Sequence, residues 1–157
     1  MGKVLVVIGS ESDKPRISSC LETLKEFGVE YKLSIASAHR SPHFVRELAE
    51  SAQVDDYSVI IAAAGMAAAL PGALAAHTIA PVVGIPLNAS ALNGVDALYA
   101  IAQMPPGIPV ATVAIDGARN GALLAIEILA INDANLRTKL EEYRQKMRRS
   151  ILEKNGL

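Results

Sequence analysis

Short, continuous apolar runs alternate with helical segments along this chain, and this alternation constrains the fold more than any other feature. The first run, Lys3 to Ile8, is rich in valine and has no polar break, as is typical of a parallel strand covered on both faces. The other predicted elements are strands over 31–36, 59–63, 81–85 and 108–115, and helices over 13–27, from 42, within 91–103 and over 118–131. Because the connections are short, these βα units predict an α/β domain with one right-handed, doubly wound parallel sheet.

The size and composition predict a single domain. A chain of 157 residues, 51% apolar and 20% charged, is long enough to bury a core and too apolar to be disordered. The last segment, about 133–154, predicts a long amphipathic helix whose apolar stripe is Leu136, Leu140, Tyr143, Met147 and Ile151. We expect this stripe to pack on the body of its own or a neighbouring subunit.

The distribution of charge predicts an oligomer. The net charge of −1 gives no support to binding of nucleic acid or of an anionic membrane surface. From Tyr57 to Ile115 there is no Lys or Arg, and Asp96 is the only acid. The nine alanines between Ala62 and Ala76 predict a helix without a polar face, which is usually buried on more than one side. We interpret this region as a subunit interface of a homo-oligomer, the alternative being the centre of one large core.

The same composition favours a cytoplasmic protein without a membrane anchor. Glycines and prolines divide the apolar region 60–87 into pieces too short to cross a bilayer. The first apolar run is too short for a secretion signal, and it ends in Gly9-Ser10 rather than in a cleavage site. The one cysteine, Cys20, excludes an internal disulfide framework, and a buried structural thiol is expected there.

The first candidate binding element is Gly9-Ser10-Glu11-Ser12-Asp13, which follows the first strand. Serine hydroxyls and the free amides of a first helical turn can surround an anion, although simple capping of the helix is the alternative function. The segment lacks the endings of a P-loop and of a dinucleotide fingerprint. Asp13 would repel a phosphate placed directly on it, so we expect its carboxylate to accept hydrogen bonds from sugar hydroxyls.

The second candidate element is Ser37-Ala38-His39-Arg40, at the end of the second strand. Strand ends of an open parallel sheet form the ligand crevice, so His39 is expected to face the serine-rich turn. Arg40 is the better match for paired phosphate oxygens, with Lys14 as the alternative cation. His43 and His77 are expected to be structural, and no third ligand is evident near His39 and His43, so no metal site is predicted.

The third candidate element is the loop 64–72 after the third strand, which has no ionisable side chain. Its backbone groups and apolar wall suit a flat ring or a small uncharged species kept from water, although close helix packing explains its small residues equally well. No nucleophile elbow, catalytic cysteine context or carboxylate pair is visible in the sequence. The residues therefore indicate proton transfer by one imidazole on a phosphorylated small molecule.

Four motifs in register resemble one enzyme family. They are Gly-Ser-x-Ser-Asp from Gly9, Ser-Ala-His-Arg-x-Pro from Ser37, Ala-Gly-x-Ala-Ala-x-Leu-Pro-Gly from Ala64, and Gln-Met-Pro-Pro-Gly-Ile-Pro-Val-Ala-Thr from Gln103. Together they resemble the catalytic subunit of phosphoribosylaminoimidazole carboxylase, in its N5-carboxyaminoimidazole ribonucleotide mutase form. The resemblance spans the chain from Val4 to the C-terminal helix.

This resemblance implies a flavodoxin-like three-layer αβα fold and a homo-octamer. It also implies transfer of a carboxylate from the exocyclic N5 to ring carbon C4 without metal or organic cofactor. It implies that His39 is the general acid and base. The substrate-binding positions that it implies are Ser10, Ser12, Asp13, Ser37, Arg40, Gly65, Ala67 and Leu70. A ribonucleotide substrate and functional coupling to the ATP-dependent synthetase that supplies it also follow from the resemblance.

The third loop departs from the family pattern at two positions. The expected mutase loop is Ala-Gly-Gly-Ala-Ala-His-Leu-Pro-Gly, whereas this chain has Met66 for the second glycine and Ala69 for the histidine. The related carboxylase branch carries Arg-Ser-Asn there, which this chain does not match either. Direct carboxylation of aminoimidazole ribonucleotide by free CO2 is the alternative reaction. A non-catalytic flavodoxin-like module that binds FMN or a nucleotide is the alternative from another class.

Overall fold

The fold is built on one parallel sheet. The computed structural model describes residues 2–156 and contains five strands: β1 (Lys3–Ile8), β2 (Tyr31–Ile35), β3 (Tyr57–Gly65), β4 (Val82–Leu87) and β5 (Ala111–Thr112). All neighbouring strands run parallel, in the order β2-β1-β3-β4-β5. This is the strand order of flavodoxin-like, doubly wound sheets, so the predicted fold class is confirmed.

Helices cover both faces of the sheet. A 3-10 segment (Glu11–Ile17) leads into α1 (Ser18–Phe27), and the later helices are α2 (Pro42–Val54), α3 (Leu70–Ala75), α4 (Val95–Ala102), α5 (Ala118–Ala130) and α6 (Ala134–Lys154). Side chains alternate along β1, so that its even-numbered residues pack under α1 and α5 and its odd-numbered residues pack under α2, α3 and α4. The sheet is therefore buried on both faces, which explains its continuous apolar runs.

Two predicted elements are shorter in the structure. The predicted extent of the alanine-rich helix was wrong. Ala62 to Ala64 continue β3, and only Leu70–Ala75 is helical. Alanine is compatible with a strand here because β3 pairs with β1 on one side and β4 on the other. The fifth strand, predicted over 108–115, contains only Ala111 and Thr112. Pro109 has no N–H to donate to a strand ladder, and β5 lies at the edge of the sheet.

The predicted C-terminal helix is confirmed, and its first half packs on its own chain. Leu136 and Leu140 are buried in the core, and the ring of Tyr143 meets that of Phe27 edge-on at a centroid distance of 5.6 Å. The second half of the stripe, Met147 and Ile151, is exposed. Within residues 2–156, neither this helix nor any other combines the length and the hydropathy needed to cross a membrane.

Cys20 is a structural residue, as predicted. Its side chain is buried in α1 within the core between α1, α5 and the sheet. Burial raises the pKa of the thiol to about 12 because a thiolate would lose its hydration there. The thiolate is the reactive form of cysteine, so this thiol is chemically inert at neutral pH.

Candidate active site

The predicted site residues surround one cavity of about 460 Å³. It lies at the carboxyl ends of β1, β2 and β3, where the strand order reverses and open α/β sheets bind their ligands. All nine predicted positions line it: Ser10, Ser12, Asp13, Ser37, His39, Arg40, Gly65, Ala67 and Leu70. The structure thus brings the three candidate loops together, and the roles of the individual residues stay predictions.

The turn after β1 is organised by Ser10. Its backbone is extended, and its hydroxyl oxygen accepts from the Ser12 amide at 3.4 Å and from the Ser12 hydroxyl at 3.0 Å. The Asp13 amide donates to the Ser10 carbonyl at 3.1 Å. Ser10, rather than Ser12 or Asp13, therefore caps this segment, which begins as a 3-10 turn with Pro15 inside it. The cap leaves the Ser12 hydroxyl oxygen and the Asp13 carboxylate at the cavity wall.

The turn after β2 is closed by Ser41. The Ser41 hydroxyl oxygen accepts from the Ser37 amide at 2.9 Å, and the hydroxyl donates to the Ser37 carbonyl at 3.2 Å. The sequence predicted Ser41 as the N-cap of α2, and the helix does begin at Pro42. The hydroxyl nevertheless fixes the preceding turn, which holds His39 and Arg40 at the end of β2.

Arg40 joins the first two loops. Its Nη2 donates to the Gly9 carbonyl at 2.9 Å, and its Nε donates to the Ser37 hydroxyl oxygen at 3.3 Å. Among the described residues that line the cavity, Arg40 is the only Lys or Arg. The alternative cation, Lys14, forms an ion pair with Glu11 at 2.5 Å and does not line the cavity. Among the described residues of the cavity wall, the permanent positive charge available to an anion is therefore that of Arg40.

His39 is exposed on the cavity wall beside Arg40. Its imidazole has no hydrogen-bond partner within residues 2–156, so both ring nitrogens remain available to a bound molecule. His43, four residues later, lies exposed on α2 and is not part of the wall. Across the described chain, no three His, Cys, Asp or Glu side chains lie close enough together to hold a metal ion.

Asp13 carries a carboxylate that is half-buried. Burial raises its pKa above the usual value, while the Ser10 backbone, Arg16 and Arg40 lower it. A carboxyl group whose pKa is raised on folding stabilises the fold below its unfolded pKa, and this stabilisation is lost as the pH rises through the folded pKa. Holding Asp13 ionised at neutral pH thus costs folding free energy, as is common for functional groups.

The third loop approaches β4 so closely that Gly65 is required. A Cβ on Gly65 would lie 2.6 Å from the Cβ of Ala89 and 3.3 Å from the Leu87 carbonyl oxygen. This contact places Ala89, just beyond the end of β4, in the cavity wall. Ala89 was not predicted as a site residue, because its only signal in the sequence is its position after a predicted strand.

Two residues of this loop adopt left-handed backbone conformations. Met66 has φ +56° and Ala68 has φ +39°, a region that costs energy for residues with a Cβ. The Met66 side chain is exposed, so little packing offsets this cost. Strained backbone of this kind concentrates at functional sites.

We expect Met66→Gly to stabilise the fold. Glycine relieves the left-handed strain, of which part is offset by the greater freedom of glycine in the unfolded chain, for a net gain of about 0.5–1 kcal/mol. The matched control is Ala67→Gly, at the next exposed position, where φ is not positive and the substitution should destabilise. Denaturant unfolding measures the free energy of unfolding of both variants and of the wild type. A lower free energy of unfolding in Met66→Gly would contradict the claim that Met66 is strained.

Comparison with known proteins identifies close relatives of this chain. It is 51% identical over 149 residues to the N5-carboxyaminoimidazole ribonucleotide mutase of Pyrococcus abyssi, covering 95% of this chain and 86% of that protein. It is 47% identical over 154 residues to the protein of that name from Thermotoga maritima, covering 98% and 90%. The crystal structure of Treponema denticola PurE superimposes with a TM-score of 0.91 at 27% identity, covering 99% of this chain and 98% of that one.

The family model described as AIR carboxylase matches residues 3–150, which include all three cavity loops. The match extends from β1 into the second half of α6. Together with relatives about half identical over nearly the whole chain, this match establishes the family. The chain is a member of the AIR carboxylase family.

Proposed function

We propose that this chain is an N5-carboxyaminoimidazole ribonucleotide mutase, an isomerase of purine biosynthesis. The observation that carries the proposal is the single cavity that unites His39, Arg40 and the serine-rich turn in a chain of this family. One imidazole, one guanidinium and an apolar loop provide a proton carrier, an anion partner and a wall for a flat ring. The names of the relatives agree with this assignment.

In the first half of the reaction, His39 acts as a general acid. The bond between N5 and the carboxylate carbon breaks, CO2 leaves, and the electron pair remains on the nitrogen. The protonated imidazole donates its proton to that nitrogen and becomes neutral. The exposed imidazole suits this role because no other described residue occupies its ring nitrogens.

In the second half, His39 acts as a general base. Ring carbon C4 attacks CO2, and a new carbon–carbon bond forms. The neutral imidazole then removes the proton from C4, which restores the aromatic ring and returns His39 to its starting state. One residue serves both halves because each step regenerates the form that the other needs. No proton is gained or lost overall, as an isomerisation requires.

The polar wall of the cavity holds the ribose phosphate in this proposal. Arg40 binds the phosphate, with Ser10, Ser12 and Ser37 as hydroxyl partners, because a planar guanidinium matches paired phosphate oxygens. Asp13 accepts hydrogen bonds from the ribose hydroxyls. The loop from Gly65 to Leu70 covers the base and retains CO2 between the two half-reactions, since its wall offers no ionisable group.

The deciding experiment measures formation of 4-carboxyaminoimidazole ribonucleotide by the purified chain. Two substrates are compared: N5-carboxyaminoimidazole ribonucleotide, and aminoimidazole ribonucleotide with bicarbonate at physiological concentration. Fast turnover of the first alone supports the mutase and makes Met66 and Ala69 tolerated variation. Efficient turnover of the second substrate would instead show that the chain is a direct carboxylase. Turnover of neither substrate would favour a non-catalytic binding module.

The exposed apolar surface supports a homo-oligomer. Four side chains of the charge-poor region are between 60% and 89% exposed: Met66, Ile79, Leu92 and Tyr99. Exposed apolar residues on this scale are typical of surfaces that other subunits cover. We propose that copies of this chain cover them in the octamer that the family resemblance implies, measurable as molecular mass by light scattering.

We also propose a cytoplasmic location and coupling to the synthetase that supplies the substrate.

A further inference from the structure

Asp116 links three elements at the carboxyl edge of the sheet, although it does not line the cavity. It follows β5 in a left-handed conformation, with φ +54°. Its amide donates to the Pro86 carbonyl at 2.8 Å, and its Oδ1 accepts from the Asn88 amide at 3.0 Å. Its Oδ2 lies 3.5 Å from Nη1 of Arg16, on the 3-10 segment. One carboxylate therefore ties the end of β4 to the segment after β1.

The hydrogen bond to Asn88 fixes one wall of the cavity. Asn88 directly precedes Ala89, which lines the cavity and packs against Gly65. The side chain of Ile115, the residue before Asp116, packs closely against the backbone of Gly94. The loop from 88 to 94 is therefore in contact with residues 115 and 116 at both of its ends. A displacement of the Asn88 amide would therefore move the wall that meets the third loop.

The ion pair with Arg16 connects Asp116 to the 3-10 segment that carries Asp13. Arg16 follows Asp13 by three residues and is near enough to lower the pKa of that carboxyl, which burial raises. Within the described residues, the ion pair of Arg16 nevertheless goes to Asp116, and none within 4.0 Å involves Asp13. The guanidinium of Arg16 is therefore paired with Asp116 rather than with Asp13.

We propose that Asp116 is a positioning residue of the site, which holds Arg16 away from Asp13 and anchors the Asn88 backbone. Asp13 then remains free to accept hydrogen bonds from the sugar hydroxyls of the substrate. This inference rests on the proposed function of Asp13 and extends it to two residues outside the cavity.

The test separates the two contacts of Asp116. Asparagine at this position keeps an oxygen for the Asn88 amide and tolerates a positive φ, but it removes the charge that holds Arg16. In Asp116→Asn, Arg16 is released to pair with Asp13, and we expect KM to rise about fivefold with kcat within about twofold of the wild type.

The second variant tests whether Arg16 causes this effect. Arg16→Met removes the competing cation, so its KM is expected within about twofold of the wild type. The double variant Asp116→Asn with Arg16→Met is expected to return to the KM of Arg16→Met alone. An ion pair with only a structural role would not produce this restoration. A double variant that keeps the KM of Asp116→Asn, or an Asp116→Asn variant with unchanged KM, would overturn the proposal.

A matched control variant and measurements that do not depend on turnover complete the test. Glu30→Gln is the matched control, because it removes an ion pair of the same 3.5 Å separation, with Lys3, at the opposite edge of the sheet. Its KM should not change. Hydrogen exchange of the Asn88 amide should stay slow in Asp116→Asn and become faster in Asp116→Ala. If the wild type shows no turnover, the proposed function fails, and Asp116 is judged by calorimetric binding of 4-carboxyaminoimidazole ribonucleotide to the same variants.

Discussion

His39→Asn is expected to lower kcat by about three orders of magnitude or more, because the imidazole transfers a proton in both halves of the proposed reaction and each positioned transfer contributes about 10²–10⁴-fold. Asparagine retains a polar side chain of similar reach but does not exchange protons near neutral pH. KM should change little, since the proposed phosphate and ribose contacts lie on other residues. Steady-state kinetics with N5-carboxyaminoimidazole ribonucleotide measure both parameters.

His43→Asn is the matched control for this prediction. It removes an imidazole four residues away, exposed on α2 and outside the cavity, so its kcat should equal that of the wild type. Light scattering on both variants shows whether assembly is intact. A kcat within tenfold of the wild type in His39→Asn would contradict the acid–base role.

The sequence predicted the three central strands well because β1, β3 and β4 are buried on both faces, whereas the edge strands β2 and β5 are partly exposed. Buried parallel strands are continuous apolar runs, and the limits predicted for β1 agree with the structure. The errors occur where this signal is ambiguous. Alanine fits a helix or a buried strand, so the alanine-rich helix predicted from Ala62 overlapped the strand predicted over 59–63, and the structure assigns Ala62 to Ala64 to β3. The strand predicted over 108–115 was too long because the prolines before β5 interrupt its pairing.

The cavity was predictable for a topological reason, and the residues that support it were not. Strand ends of a parallel sheet meet at one edge, so polar loops such as 9–13 and 37–40 had to converge there. Asp116 and Asn88 are far apart in sequence, and neither has a neighbouring motif. Their contact depends on the exact residue at which β4 ends and on the left-handed conformation of Asp116 after β5. The hydrophobic periodicity of the sequence indicates neither of these.

Arg40→Ala is expected to raise KM for the ribonucleotide by roughly 10- to 100-fold, because a charge-assisted pair with phosphate is typically worth about 1.5–3 kcal/mol and 1.4 kcal/mol is a factor of ten. Arg40 is the only Lys or Arg among the described residues of the cavity wall, so no neighbouring cation replaces it. The substitution should raise KM with little change in kcat, since the Arg40 guanidinium binds a part of the substrate that does not react. Substrate-dependent initial rates separate KM from kcat.

Two variants control for charge and for position. Arg40→Lys keeps the charge but loses the planar fork, and with it the simultaneous bonds to Gly9 and Ser37, so its KM should lie between those of the wild type and Arg40→Ala. Arg46→Ala removes a cation on α2 that pairs with Glu50 outside the cavity, and it should leave KM unchanged. Because screening weakens an exposed ion pair, added salt should raise the wild-type KM more than that of Arg40→Ala. An unchanged KM in Arg40→Ala would show that the phosphate binds elsewhere, whereas a fall in kcat as deep as that of His39→Asn would place Arg40 in the chemical step.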